Sequence, residues 1–160
     1  MNKEKIDQFS FKVTQANKSQ LVVIMYDIIL DELATAKEEY EASEIDAFVK
    51  TLKHAQKFLI ELMNTLDCQY EIGLDLMTLY LQMNKRMIKA IIQRKPDALE
   101  GVAENITLLR NAFDQISRTD YSGPVMQTTE QVYAGLTYHK GNLSEAYLDA
   151  GNQMKRGFTI

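Results

Sequence analysis

The stretch LMTLYLQMNKRMIKAII, residues 76–92, decides the fold. Leu76, Tyr80, Met83, Met87 and Ile91, preceded by Ile72, recur every three or four residues, the repeat that puts side chains on one face of an α-helix. Met77, Leu79, Leu81, Ile88 and Ile92 widen that face beyond what one core contact requires. The spacing predicts a helix over about 70–94.

The same period extends toward the N-terminus. Leu21, Val22, Met25, Ile28, Ile29, Leu33, Ala36 and Tyr40 alternate with Asp31, Glu32, Lys37, Glu38 and Glu39, and Asn17 with Gln20 three residues on forms a capping box, so a helix is expected over about 18–42. Ser43 reads as the cap of the next helix, about 44–67, which places Ile45, Val49, Leu52, Ala55, Leu59, Leu62, Met63 and Leu66 on one face and Asp46 in its first turn. Pro96 suits the first turn of a fourth long helix, carried to about 118 by Leu99, Val102, Ala103, Ile106, Leu109, Phe113 and Ile116. Short links between long helices make neighbours antiparallel. The expected fold is therefore all-α, an antiparallel up-down four-helix bundle over 1–118 with a short N-terminal segment.

After Thr119 the composition changes, since five of the seven glycines and four of the eight tyrosines lie between there and Ile160. Residues 119–160 read as a Tyr/Gly-rich C-terminal extension, mildly strand-like or irregular over 128–138, with Asn142 and Glu145 placed to cap a short helix to about Ala150.

Composition narrows the function. A chain of 160 residues with 46% hydrophobic and 25% charged residues is long enough for a real core. Its net charge of −4 argues against a nucleic-acid surface, which needs clustered Lys and Arg. The one basic concentration, Lys85, Arg86, Lys89, Arg94 and Lys95, reads as a solvated helix face or an electrostatic landing site for an acidic partner. The single cysteine, Cys68, excludes an internal disulfide and is expected to be buried or between helices. No segment has the length and apolarity of a signal peptide or a membrane span, so a cytoplasmic protein without membrane insertion is expected.

The chemical motifs fail one by one. A di-metal bundle site needs Glu three residues before His, but Thr51 precedes His54 and Leu136 precedes His139 at that spacing. No phosphate loop or dinucleotide fingerprint is present, and no signature of a cysteine hydrolase surrounds Cys68 in NTLDCQYE. The reading is a non-enzyme with no metal and no cofactor. What remains is apolar surplus, and methionines such as Met25, Met77, Met83 and Met87 suit either irregular core gaps or a groove whose occupant varies in shape.

Three stretches, QANKSQLVVIMYDIIL at 15–30, ELMNTLD at 61–67 and LMTLYLQMNKRMIKA at 76–90, resemble the flagellar secretion chaperone family (FliS) in order and spacing over about 1–118. The family pattern has Met-Leu-Tyr-Asp-Gly in the first long helix, Leu-x-x-Thr-Leu-Asp ending the second, and Leu-Tyr in the third. The chain departs from it at Asn17-Lys18, where Ser-Pro is usual, and at Ile28, where a branched side chain replaces glycine and blocks close backbone approach by a partner.

The resemblance implies a cytosolic export chaperone that binds the disordered C-terminal segment of flagellin, with an export gate protein as second partner. Met25, Tyr26, Leu79, Tyr80, Met83 and Met87 are the candidate partner-binding residues, and Phe9, Phe11 and Val13 the N-terminal residues placed to cover the groove in the free protein. The alternative is a helical interaction or regulatory protein that forms a homodimer through its C-terminal tail.

Overall fold

The protein is described by a computed structural model over residues 3–126, with the side chains of residues 3–5 and of Glu100 left aside. The expectations for 128–138 and 142–150 lie outside the described residues. Among the described residues five helices follow one another: α1 (Lys3–Gln15), α2 (Lys18–Glu41), α3 (Ile45–Asn64), α4 (Glu71–Gln93) and α5 (Glu100–Ser117). The fold is all-α, and among the described residues there is no strand. The N-terminal segment, expected only as a short lead-in, is a helix in its own right.

Helix α2 starts as its sequence dictates. Asn17 accepts from the Gln20 backbone N–H at 2.8 Å, and Gln20 Oε1 accepts from the Asn17 N–H at 3.0 Å, so the reciprocal box satisfies two free donors. Its other end corrects the reading of Ser43. That residue closes α2 in the left-handed region (φ 63) rather than opening α3, with the Glu44 N–H reaching the Glu39 carbonyl at 2.8 Å and the Ser43 N–H reaching Tyr40 at 2.9 Å. Glu44 is the cap residue of α3 and makes no side-chain cap.

Arg94, also left-handed (φ 54), ends α4 in a similar way, its N–H donating to Ala90. Pro96 therefore stands just after a C-cap, where proline cannot continue a helix, and it accepts a turn hydrogen bond from Leu99 at 2.8 Å. Helix α5 begins four residues later than its proline suggests.

Helix α2 packs mainly against α3 and α5, while α4 packs on α3 and more lightly on α5. The core is built from residues at helical spacing: Tyr26, Ile29, Leu33 and Ala36 of α2; Phe48, Leu52, Ala55, Leu59 and Leu62 of α3; Tyr80, Met83, Met87 and Ala90 of α4; Leu99, Val102 and Ile106 leading into α5. Each large side chain removed from water contributes about 1.5–3 kcal/mol, which is why this stripe outweighs the modest helix propensity of its β-branched members.

Polar pairs fix how the helices register. Asp27 of α2 accepts from Arg110 Nε of α5 at 2.9 Å, and Gln56 Nε2 of α3 donates to Asn84 of α4 at 2.7 Å. At the α3–α4 turn, Gly73 has no room for a side chain, because a Cβ there would lie 2.1 Å from the Asp67 carbonyl oxygen. Cys68, expected in an interior or interhelical position, is exposed on this turn, since the apolar stripe of α3 ends before it.

Candidate functional site

The six side chains expected to bind a partner separate into two groups. Tyr26, Tyr80, Met83 and Met87 are fully enclosed, whereas Met25 and Leu79 are half-buried at the core's edge. The tyrosines meet hydroxyl to hydroxyl across α2 and α4, and the Tyr26 ring lies tilted against Phe113 at 5.6 Å between centroids. Burial pushes both phenols above their usual range; the mutual hydrogen bond adds to this at Tyr26 and opposes it at Tyr80. Both stay neutral, and the pair serves as a satisfied polar link inside an apolar core. In this conformation the group does not form one open groove.

A second, smaller apolar cluster adjoins the core through Phe58. Ala16, Ile24 and Ile28 are buried there, with Phe9, Val13, Leu21 and Phe58 packed against them. Phe9 and Val13 come from α1 and lie one helical turn apart, so they face the same way; Phe11, between them, is 60% exposed. Of the three N-terminal residues expected to cover a groove, two pack on the cluster and one does not. Lys12 Nζ lies 5.6 Å from the Phe9 ring centroid, a cation over the outer face of the covering side chain.

The missed residues are the floor: Ile24, Ile28, Leu21 and Phe58. A signal for the three on α2 was present, because α2 is apolar at every position from Leu21 to Leu30 except Asp27, too broad a face for packing on α3 and α5 alone.

Clefts open beside α1. One, of about 760 Å³, lies between Ile6 of α1, the C-terminal half of α2 and α3. Into it face Glu32, buried and 3.0 Å from His54 Nδ1, and Glu39, which accepts from the Thr51 hydroxyl at 3.0 Å. The other, of about 460 Å³, lies between α1, α2 and α5 and is lined by Phe11, Gln15, Val23, Ile24, Asp27 and Asp114 among others.

The α1–α2 joint is held from outside by residues after α5. The Asn17 amide donates to the Asp120 carbonyl at 2.8 Å, the Ser19 hydroxyl donates to the Asp120 carboxylate at 2.5 Å, and the Val125 N–H donates to Ala16 at 3.0 Å. Hydrogen bonds from Ser122 and then Ser19 hold the Asp120 carboxyl down at about 2.

Among the described residues, no group of three or more His, Cys, Asp or Glu side chains is placed to hold a metal ion, and no helix is long and apolar enough to cross a membrane. A family model described as flagellar protein FliS matches residues 2–120. No curated protein matches the chain.

Proposed function

The chain belongs to the flagellar protein FliS family, and we propose that it is an export chaperone that holds the C-terminal segment of flagellin on the apolar face of α2 now covered by α1. One observation carries this reading: Ile24 and Ile28 pack against Phe9 and Val13 of a short helix that borders two open clefts. A disordered export substrate must cover its own apolar residues until assembly, and a helix-in-groove site does this. Helix α1 is then the resident stand-in, displaced when the substrate helix arrives.

The antiparallel up-down bundle over 1–118, followed by a C-terminal extension over 119–160 whose first residues clasp the α1–α2 joint, belongs to the same reading. It is supported by Ser19 and Asp27 of α2 meeting Asp120 and Arg110 respectively, so that the two strands of contact run in opposite directions. Met25 and Leu79, at the edge of the core, are the candidate groove residues a wrapping segment reaches without opening it. Tyr26, Tyr80, Met83 and Met87 would support such a surface from beneath. The action is non-catalytic, and the loaded complex is handed to an export gate protein.

Titrating the full chain with a flagellin C-terminal peptide in a calorimeter tests the proposal. Binding weakened by Ile24→Asp/Ile28→Asp, in a variant that keeps its helix content, is the expected result; absence of binding to the unaltered chain overturns it.

A further inference from the structure

Helix α4 carries a charge imbalance found nowhere else in the chain. Between Leu76 and Pro96 there is no Asp or Glu, while Lys85, Arg86, Lys89, Arg94 and Lys95 crowd its second half, in a protein whose net charge is −4. Arg94 is paired with Asp46. The side chains of Lys85, Arg86 and Lys89 make no hydrogen bond or ion pair among the described residues. Asp97 and Glu104 line a neighbouring recess together with Arg86 and Lys89 but form no ion pair with them. The helix dipole does not account for these cations either, because the last turn of α4 contains none.

Apolar side chains share this face. Leu81, Ile88 and Ile92 follow at intervals of seven and four residues and are 51%, 41% and 75% exposed. Lys85, Arg86, Ile88, Lys89 and Ile92 surround a shallow recess of about 630 Å³, with Gln82 and Gln93 at its margins. Exposed isoleucines rimmed by unpaired cations are the complement of a helix that alternates carboxylates with leucine-like residues.

We infer that this face of α4 docks an acidic amphipathic segment of a second protein. Carboxylates of that segment meet Lys85, Arg86 and Lys89, and its apolar residues enter the recess against Ile88 and Ile92. Two other occupants fit less well. A second copy related by a twofold axis would set Lys85, Arg86 and Lys89 against themselves, a like-charge contact. An anionic bilayer would gain only three apolar side chains while repelling the net negative remainder of the protein. The proposed partner goes beyond the flagellin reading, since none of these residues belongs to the cluster under α1.

The test uses the full chain and a fluorescein-labelled peptide of Glu, Leu and Ala with leucines on one helical face, followed by fluorescence anisotropy at low and high salt. Salt-sensitive binding is expected, weakened about tenfold or more by Lys85→Glu/Lys89→Glu and changed less than about twofold by Lys53→Glu/Lys57→Glu on α3. Ile88→Ser/Ile92→Ser should weaken it as well. A peptide with Lys in place of Glu should bind the charge-reversed chain and not the original. The inference is overturned if the acidic peptide does not bind, or if it binds the charge-reversed chain equally well. It is also overturned if the same lysines instead govern binding to phosphatidylserine vesicles or concentration-dependent dimerisation in light scattering. Flagellin-peptide binding is measured in parallel; its loss alone counts against the proposed function and not against this inference.

Discussion

Helix α2 presents apolar side chains in two directions, and the two regions they build differ in how they are closed. Tyr26, Ile29, Leu33 and Ala36 are sealed among α3, α4 and α5, whereas Ile24 and Ile28, neighbours in sequence, are covered by two half-buried side chains of α1. The chemistry of the side chains is the same in both places. What differs is the number of elements that must move to expose them: the core opens only with global unfolding, while the second cluster needs one helix to leave.

Breaking the sealed region should have the largest effect. Met83→Ala leaves a cavity where no solvent reaches, and a loss of about 2–5 kcal/mol in denaturant unfolding is expected. If Val13→Ala costs as much, the two regions do not differ in the way described. The tyrosine pair comes next. Tyr26→Phe strands the Tyr80 hydroxyl in an apolar interior at a cost of about 1–3 kcal/mol, and adding Tyr80→Phe should recover part of that loss, a non-additivity that a double-mutant cycle measures.

The covered region should respond in the opposite sense to function. Phe9→Asp/Val13→Asp is expected to release α1 at a global cost below about 2 kcal/mol, because both side chains are only half-buried. It should also tighten flagellin-peptide binding severalfold in calorimetry by removing the internal competitor. Weaker binding would mean that α1 forms part of the seat.

The smallest effect concerns the clasp at the α1–α2 joint. The folded Asp120 carboxyl titrates at about 2, below the ordinary carboxylate value of roughly 3.9, so its contribution is present above that value and is lost as pH falls through 2. Asp120→Asn should remove this small contribution at neutral pH, where it is complete, and flatten the fall in stability between those limits, as followed by circular dichroism.

Much of the helical structure was legible because helical period and caps are local properties. The start of α2 at Lys18 follows from Asn17 and Gln20 alone, and most of the cores of α3 and α4 falls on the residues their spacing selects, although Phe48 and Ala90 are not among those and Ile72, which is, stands exposed. Ser43 and Pro96 misled for a shared reason: each is as compatible with a helix end as with a helix beginning, and the left-handed residues at Ser43 and Arg94 that decide between these are not encoded by glycine. The candidate site was legible only in part. Methionine spacing on α4 identifies a buried stripe but not its depth, so Met83 and Met87 lie in the core, while the floor under α1 includes Phe58 of α3, which no local pattern joins to Ile24.

By itself the sequence determined that the chain is helical, where most of its long helices lie, that it carries more apolar surface than a single stripe needs, and which family its motifs resemble. These depend on period, capping and composition, all set within a few residues. Tertiary structure alone decided which apolar side chains are enclosed, which are covered by α1 and which stand open on α4. That outcome depends on which helix happens to lie over which face, a contact between residues far apart along the chain that spacing within one helix does not record.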